Sequence, residues 1–490
     1  MLLASGADLQ SINPLVAVHP LAKQVQNHVL FLTIAALDSA LQPVPRLAAW
    51  DWREGRTALR LHLRRDVRWH DGVPTTAADV QWTLHRARDA AVAYPRAGDL
   101  RAFAAVTVAD SFTVDIRFDG PQPVFPDVLT DLAILPAHLL ADVPPERLRA
   151  AAYNLAPVGN GPFEFVAYRP NQRWEFQRRA DFPPALGTPA IERFVVVVVD
   201  EPATKLAALT SGELDVAGIS PAHTGFVRDN PGLRVVDYPI ALSYGVVFNL
   251  RRAPFDVPDV RRALSRAVDR QAIIEGYLYG FGTTAAGPVH PEHPWHVALD
   301  PVAHAPAEAA MMLDAAGFPA GTDGRRDLAF DLLTVGSGDL ALEQMLAAQW
   351  RAVGVTVRIR RVELATFLAI AQGPARDFDA LVTGIPGVLS LGHVAALYGA
   401  DGPLAYAGYA APDLRQAFER VRRATGEAAL ADAWRDVQVA IARGEPTAWL
   451  YHARGVQGVS RRIEGLRMDL RGELAGIAGW RVGAGAGGGP

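Results

Sequence analysis

At 490 residues the chain is too long for one core, and a prior of about 150 residues per domain points to roughly three structural units. Apolar residues make up 50% and charged residues 20%, which excludes a disordered or fibrous chain, and a net charge of −4 with dispersed arginines excludes the basic field that nucleic-acid binding requires. Cysteine is absent, so disulfides, thiolate nucleophiles and sulfur-ligated metals are excluded together.

The chain opens MLLASGADLQSINPL, with neither a basic n-region nor an extended apolar h-region. This leaves either a cytoplasmic location or a chain whose export signal has been removed. In the segment 59–69, Leu59, Leu61 and Leu63 alternate with Arg60, His62 and Arg64, the period of a half-buried strand. HDGVP then has turn chemistry, and Thr76 with Asp79 has the spacing of a capping box at the start of a helix carrying Val80, Leu84 and Ala87 on one stripe. Trp69, His70 and Asp71 sit between strand and helix. A catalytic His70/Asp71 pair needs a third partner or a nucleophile and none is near in sequence, so the cluster is read as the corner of a fold.

Gly159 and Gly161 in GNGPFEFVAYRPNQRWEF predict a tight backbone bend, followed by a hairpin around RPNQ. IERFVVVVV predicts a strand buried on both faces of an α/β sheet; the run is far short of the roughly 20 residues that cross a bilayer. EPATKLAALTSGELDVAGI reads as helix, glycine turn and strand. From Ala253, the apolar positions Val260, Leu264, Val268 and Ile273 recur at near-helical spacing. Pro288, Pro291 and Pro294 then forbid a regular helix in GPVHPEHPWHVALDP. A helix ended by Gly317, a strand in DLAFDLLTV, a helix ended by Gly354 and an alternating strand in VTVRIRRV follow, the pattern of a second α/β lobe. The tail GAGAGGGP has no side chains to bury and is expected to be disordered.

Five strings in order, LHLRRDVRWHDGVPTTAADV, GNGPFEFVAYRPNQ, LAALTSGELDVAGI, VFNLRRAPFDVPDVRRALSRAVDRQAIIEGYLYG and LDAAGF, resemble the extracellular solute-binding proteins of the oligopeptide, dipeptide and nickel type (family 5, cluster C) that serve ABC importers. The likeness runs from near Asn13 and Pro14 to about Val456. It implies an α/β, two-lobed periplasmic-binding-protein fold of type II. Lobe one would comprise residues 1–29, 159–252 and 456–490, the last with the glycine-rich tail; residues 30–158 would be a subdomain inserted in it, and residues 253–455 would be lobe two. It implies also a monomer in the periplasm or lipid-anchored at the cell surface, whose lobes close on a small or medium solute that is peptide-like, a sugar or another compound. The implied protein partner is a membrane permease; no cofactor and no nucleic acid are implied.

In peptide-binding relatives an Asp pairs with the free amino group of the peptide. Aligned by DALVTG, its place falls at or near Val388, and no acid occurs between Asp379 and Asp401. A valine accepts no charge-assisted hydrogen bond, so an ammonium held there would lack a partner; the resemblance therefore implies a solute other than an ordinary peptide held by that group, with a peptide receptor using another anchor as the alternative. Ile385, Val388 and Leu389 would supply an apolar wall, although a plain packed loop accounts for the same string. Tyr244, flanked by Ser243 and Gly245, falls where relatives present cleft residues, though a core tyrosine fits too. Trp295, Tyr398 and Tyr406 are further aromatic candidates. His290, His293 and His296 put three imidazoles in seven residues, but prolines interrupt the spacing and the segment is read as a surface loop without metal. A hydrolase is the rival class; G-x-S-x-G, H-E-x-x-H and P-loop motifs are all absent, and no catalytic residue is assigned.

Overall fold

The computed structural model describes residues 1–17, 19–336, 340–387, 389–399, 402 and 404–483; Val388 and residues 484–490 of the glycine-rich tail, with the disorder expected of it, lie outside the described residues. The chain divides into two compact units, Met1–Tyr238 with Val456–Pro490, and Pro239–Gly455. It passes from the first to the second within the strand Leu233–Phe248 and returns within the strand Thr447–Ser460.

In the first unit the valine run forms the strand Arg193–Val198, where β-branched side chains fit the pleat. Leu2–Ser5 pairs with it in parallel, Leu2 opposite Val195, and Arg173–Arg178 pairs antiparallel on the other side. Phe194 and Val196 are fully buried, but Val197 and Val198 are only half-buried, so the two-sided cover expected of the run holds for its first half alone. Phe163–Arg169 and Arg173–Arg178 make the expected hairpin, turned through Asn171 at φ +56°, a left-handed conformation that asparagine tolerates. The helix Pro202–Ser211 stops at Gly212, whose φ of +83° closes its C-terminus, and leads into Val216–Gly218.

A separate antiparallel sheet runs in the order Ala48–Arg53, Ala58–Leu63, Thr113–Phe118, Phe103–Asp110. Leu59, Leu61 and Leu63 are its buried face, as their spacing predicts, and the strand ends at Leu63 rather than reaching residue 69. The helix Ala77–Arg88 opens with the capping box of Thr76 and Asp79 and buries Val80, Leu84 and Ala87. Asp79 also accepts from the backbone of Ala137 at 2.8 Å, which ties the helix start to a distant segment.

Gly159 and Gly161 correct an expectation. Neither has a positive φ, so no bend requires them. A Cβ at residue 159 would stand 2.0 Å from the Leu30 carbonyl oxygen, and one at residue 161 would stand 2.6 Å from the Leu30 carbonyl carbon. They are glycines because another backbone passes too close for any side chain.

In the second unit the strands run in the order Thr356–Val362, Ala329–Val335, Ala380–Pro386, Leu233–Phe248, Thr447–Ser460. The first three are parallel and the third is antiparallel to the fourth. Helices Ala341–Ala352 and Pro306–Ala315 end where Gly354 and Gly317 take φ of +85° and +93°. The stripe from Val260 to Ile273 is split between two helices, Pro258–Arg266 and Arg270–Gly276, because the carboxylate of Asp269 accepts from Ala272 N at 2.9 Å and caps a fresh start. The core gathers Phe248, Phe255, Leu264, Phe330, Leu346, Trp350 and Leu450. Buried Arg270 gives its guanidinium hydrogens to the carbonyls of Trp449, Ser265 and Val268, so its charge is solvated by peptide dipoles.

Candidate functional site

Trp69, His70 and Asp71 form a joint of the first unit. Trp69 is fully buried, and its indole N–H donates to Asp79 at 3.3 Å. His70 commits both ring nitrogens to one backbone segment: Nδ1 accepts from Gly159 N at 3.1 Å, and Nε2 donates to the Gly161 carbonyl at 3.1 Å. Burial pulls its pKa down to about 4, so the ring is neutral near pH 7. Asp71 is engaged by His138 Nε2 at 2.7 Å. The imidazole of His70 has no nitrogen left to act as a base; it fastens the two glycines that lie against Leu30.

The strand candidates of the second unit meet in the antiparallel pair of Leu233–Phe248 with Ala380–Pro386, where Ser243 faces Ile385 and Tyr244 faces Gly384. A Cβ at residue 384 would stand 2.8 Å from Cζ of Tyr244, so the absent side chain makes room for the tyrosine ring. On its other side Tyr244 stacks on Tyr451, with centroids 4.9 Å apart and planes at 19°. It is half-buried against the unit's core, and burial raises its hydroxyl pKa. Gly245 is closely covered, since an added Cβ would lie 2.7 Å from Cγ2 of Thr447. The hydroxyl of that threonine meets the Tyr398 hydroxyl at 2.7 Å. Burial also pushes the Tyr398 pKa up. Tyr406 is held elsewhere, its carbonyl by Arg251 at 3.0 Å and its hydroxyl by Gln372 at 3.4 Å.

The proline-rich segment departs from the surface loop expected of it. His290 and His293 are buried, 7% and 8% exposed. His293 Nε2 donates to the Leu389 carbonyl at 2.8 Å, and its Nδ1 accepts from Trp295 N at 3.1 Å. His296 Nδ1 donates to the Val289 carbonyl at 2.9 Å, and His290 Nδ1 accepts from Glu292 N at 3.1 Å. Prolines remove the N–H groups that regular structure would use, and the imidazoles supply side-chain bonds in their place. Leu389 and Trp295 are thereby joined through one ring. Among the described residues no three histidine or carboxylate groups are placed to hold a metal ion.

Two further histidines belong to this cluster and were not singled out in the sequence. His452 Nδ1 lies 2.8 Å from the Ser243 hydroxyl, and its ring meets His290 with centroids 5.3 Å apart. Burial lowers its pKa to about 3. His393 Nε2 donates to the Pro288 carbonyl at 3.1 Å. Neither stands in a motif; only their partners, far away in the chain, mark them. Burial also lowers the His290 pKa to about 4, so His290 and His452 are neutral near pH 7 and offer hydrogen bonds rather than charge.

The model of the bacterial extracellular solute-binding proteins, family 5 Middle, matches residues 42–398. A Brucella ovis protein named for ABC-transporter peptide binding is 30% identical over 326 residues, which cover 65% of this chain and 61% of the relative, so the match spans less than two thirds of that protein's length. The oligopeptide-binding protein AppA from Bacillus subtilis, in complex with a nonapeptide, superposes with a TM-score of 0.81 at 21% identity over 99% of each chain. NikA from Brucella suis, in complex with Fe(III)-EDTA, gives 0.88 at 19% identity over 98% of this chain and 99% of that one. At such identities the structural likenesses establish the fold, the α/β periplasmic-binding-protein fold expected from the sequence.

Proposed function

The chain belongs to the bacterial extracellular solute-binding proteins of family 5, and on that premise we propose that it is the substrate-binding receptor of an ABC importer, capturing a solute and passing it unchanged to a membrane permease. The observation that carries this reading is the family match over residues 42–398. In it the two compact units are the lobes, residues 30–158 are an inserted subdomain, and the two backbone passages between the units are the hinge. The receptor works as a monomer in the periplasm or lipid-anchored outside the cell.

Capture is a population shift. To turn a 1:99 mixture of closed and open forms into 99:1, the solute must bind the closed form about 10⁴-fold more tightly, about 5.5 kcal/mol. Ser243, Tyr244, Gly245, Trp295, Ile385, Leu389, Tyr398 and Tyr406 are the contacts proposed on the second unit, with Val388 at the place of the missing acid. Apolar lining with few polar groups gives affinity without a charged anchor. The absence of any acid between Asp379 and Asp401 argues against a solute held by its free ammonium. The peptide-binding names among the relatives support the alternative, a peptide receptor that uses another anchor.

Thermal melting against peptides of two to nine residues, monosaccharides and metal chelates tests the reading. A bound solute at a hundredfold excess over its Kd stabilises by about 2.7 kcal/mol and is recovered intact by mass spectrometry. Conversion of a panel member to a product would overturn the proposal.

A further inference from the structure

The loop between the strand Ala380–Pro386 and the helix Gly392–Tyr398 contains Leu389, a proposed solute contact, and its described residues belong to no strand or helix. Two bonds from outside reach its described residues, Gly387 N donating to the Ala241 carbonyl at 2.7 Å and the Leu389 carbonyl accepting from His293 at 2.8 Å, and His393, just beyond the loop, donates to the Pro288 carbonyl at 3.1 Å. The two histidine bonds are reciprocal. An imidazole of the proline-rich segment holds a carbonyl of the loop, and an imidazole at the loop's end holds a carbonyl of the proline-rich segment. Leu391 is held at φ +61° with its side chain buried, a left-handed conformation that a leucine avoids when free to relax. A segment in that state requires fastening from its surroundings.

We propose that His293 and His393 are positioning residues that stitch Leu389 and the start of the helix Gly392–Tyr398 to the 288–296 segment and so set the wall against which the solute rests; this builds on the receptor reading above. The His293 ring suits the task because it accepts from Trp295 N on one side while donating to the loop on the other, which fixes both its tautomer and its plane. His393 lies 7% exposed beside Pro288, whose missing N–H leaves the carbonyl as the only backbone group to grip.

Hydrogen–deuterium exchange of the full chain at the hydrogen-bonded amides that flank the loop, Gly387 N on the Ala241 carbonyl and Val394 N on the Leu391 carbonyl, decides the matter, with the Trp449 to Tyr451 amides as a control in the core strand. His293→Leu and His393→Leu should each speed exchange at these loop amides at least tenfold and leave the control within threefold of wild type. His293→Gln, which keeps one donor and one acceptor, should restore the loop to within threefold. Loop exchange unchanged in both leucine variants overturns the proposal, as does equal acceleration of loop and control, which would mark a role in global stability. Any panel member that wild type binds should bind His293→Leu at least tenfold more weakly and His293→Gln less than threefold more weakly; equal affinity in His293→Leu overturns the positioning role. A wild-type chain that binds no panel member counts against the receptor reading alone, because the exchange result stands without a ligand.

Discussion

His70 in the first unit and His293 in the second make the same pair of bonds, one ring nitrogen accepting from a backbone N–H and the other donating to a carbonyl. Their settings differ. His70 closes a joint where Gly159 and Gly161 lie against Leu30 with no room for a Cβ. His293 reaches a half-buried loop residue that regular structure leaves unsupported. Equal hydrogen-bond chemistry therefore has unequal consequences: loss of the first opens a packed joint and appears as lost stability, whereas loss of the second frees a loop. In both places the imidazole pairs backbone groups that no helix or strand ladder satisfies.

The sharpest way to break this comparison is to crowd each region by one methyl. Gly159→Ala drives a Cβ to 2.0 Å from a backbone oxygen that has no freedom to move, and it should destabilise the chain by about 4 kcal/mol or prevent folding. Gly384→Ala meets side chains rather than backbone, the Tyr244 ring at 2.8 Å and Leu242 Cδ1 at 3.2 Å, which can shift where a backbone oxygen cannot, and should cost about 1–2 kcal/mol. Urea unfolding followed by circular dichroism measures both, and equal losses would erase the distinction between a closed joint and an adaptable strand pair.

Acid sharpens the comparison next. Below pH 6.5 the unfolded chain takes up protons that buried His70 refuses until about pH 4 and buried His452 until about pH 3. The unfolded state thus binds more protons across this window, and stability declines as pH falls through it, by about 3 kcal/mol for His70 alone. The decline should be flatter in His70→Gln, read from urea midpoints between pH 7 and pH 4. An unaltered slope would mean that the clasp is not what resists protonation.

The smallest effect is expected from loss of the Tyr244 hydroxyl. Tyr244→Phe keeps the ring stacked on Tyr451 and should change stability by no more than about 0.5 kcal/mol, so any weakening of solute binding reports the hydroxyl. Tyr244→Ala removes the stacked ring and its contact with the core, costing about 2 kcal/mol, and is a poorer probe of binding than the phenylalanine variant. Calorimetric melting of both variants checks the order.

Much of the fold was legible in local pattern. The alternation of Leu59, Leu61 and Leu63, the Thr76–Asp79 box and the stripe of Val80, Leu84 and Ala87 are each set by neighbours in sequence, and each appears where the pattern puts it. The stripe after Val260 misled because a hydrophobic period does not register a cap, and Asp269 starts a second helix within the same spacing. The site was less legible. Ser243, Tyr244 and Ile385, singled out through the resemblance, lie on adjoining strands, whereas His452 and His393 carried no signal, and Tyr406 is held by other partners.

The sequence by itself determined the α/β class, several helix starts and stops and the family, because periodicity, capping and ordered motifs are properties of contiguous residues. Tertiary structure alone decided why Gly159 must be glycine, which carbonyl each imidazole grips, and that Ser243 meets a histidine 209 residues further on. Those facts depend on which distant backbone arrives beside a residue, and a chain records its own faces far more plainly than the identity of what will be packed against them.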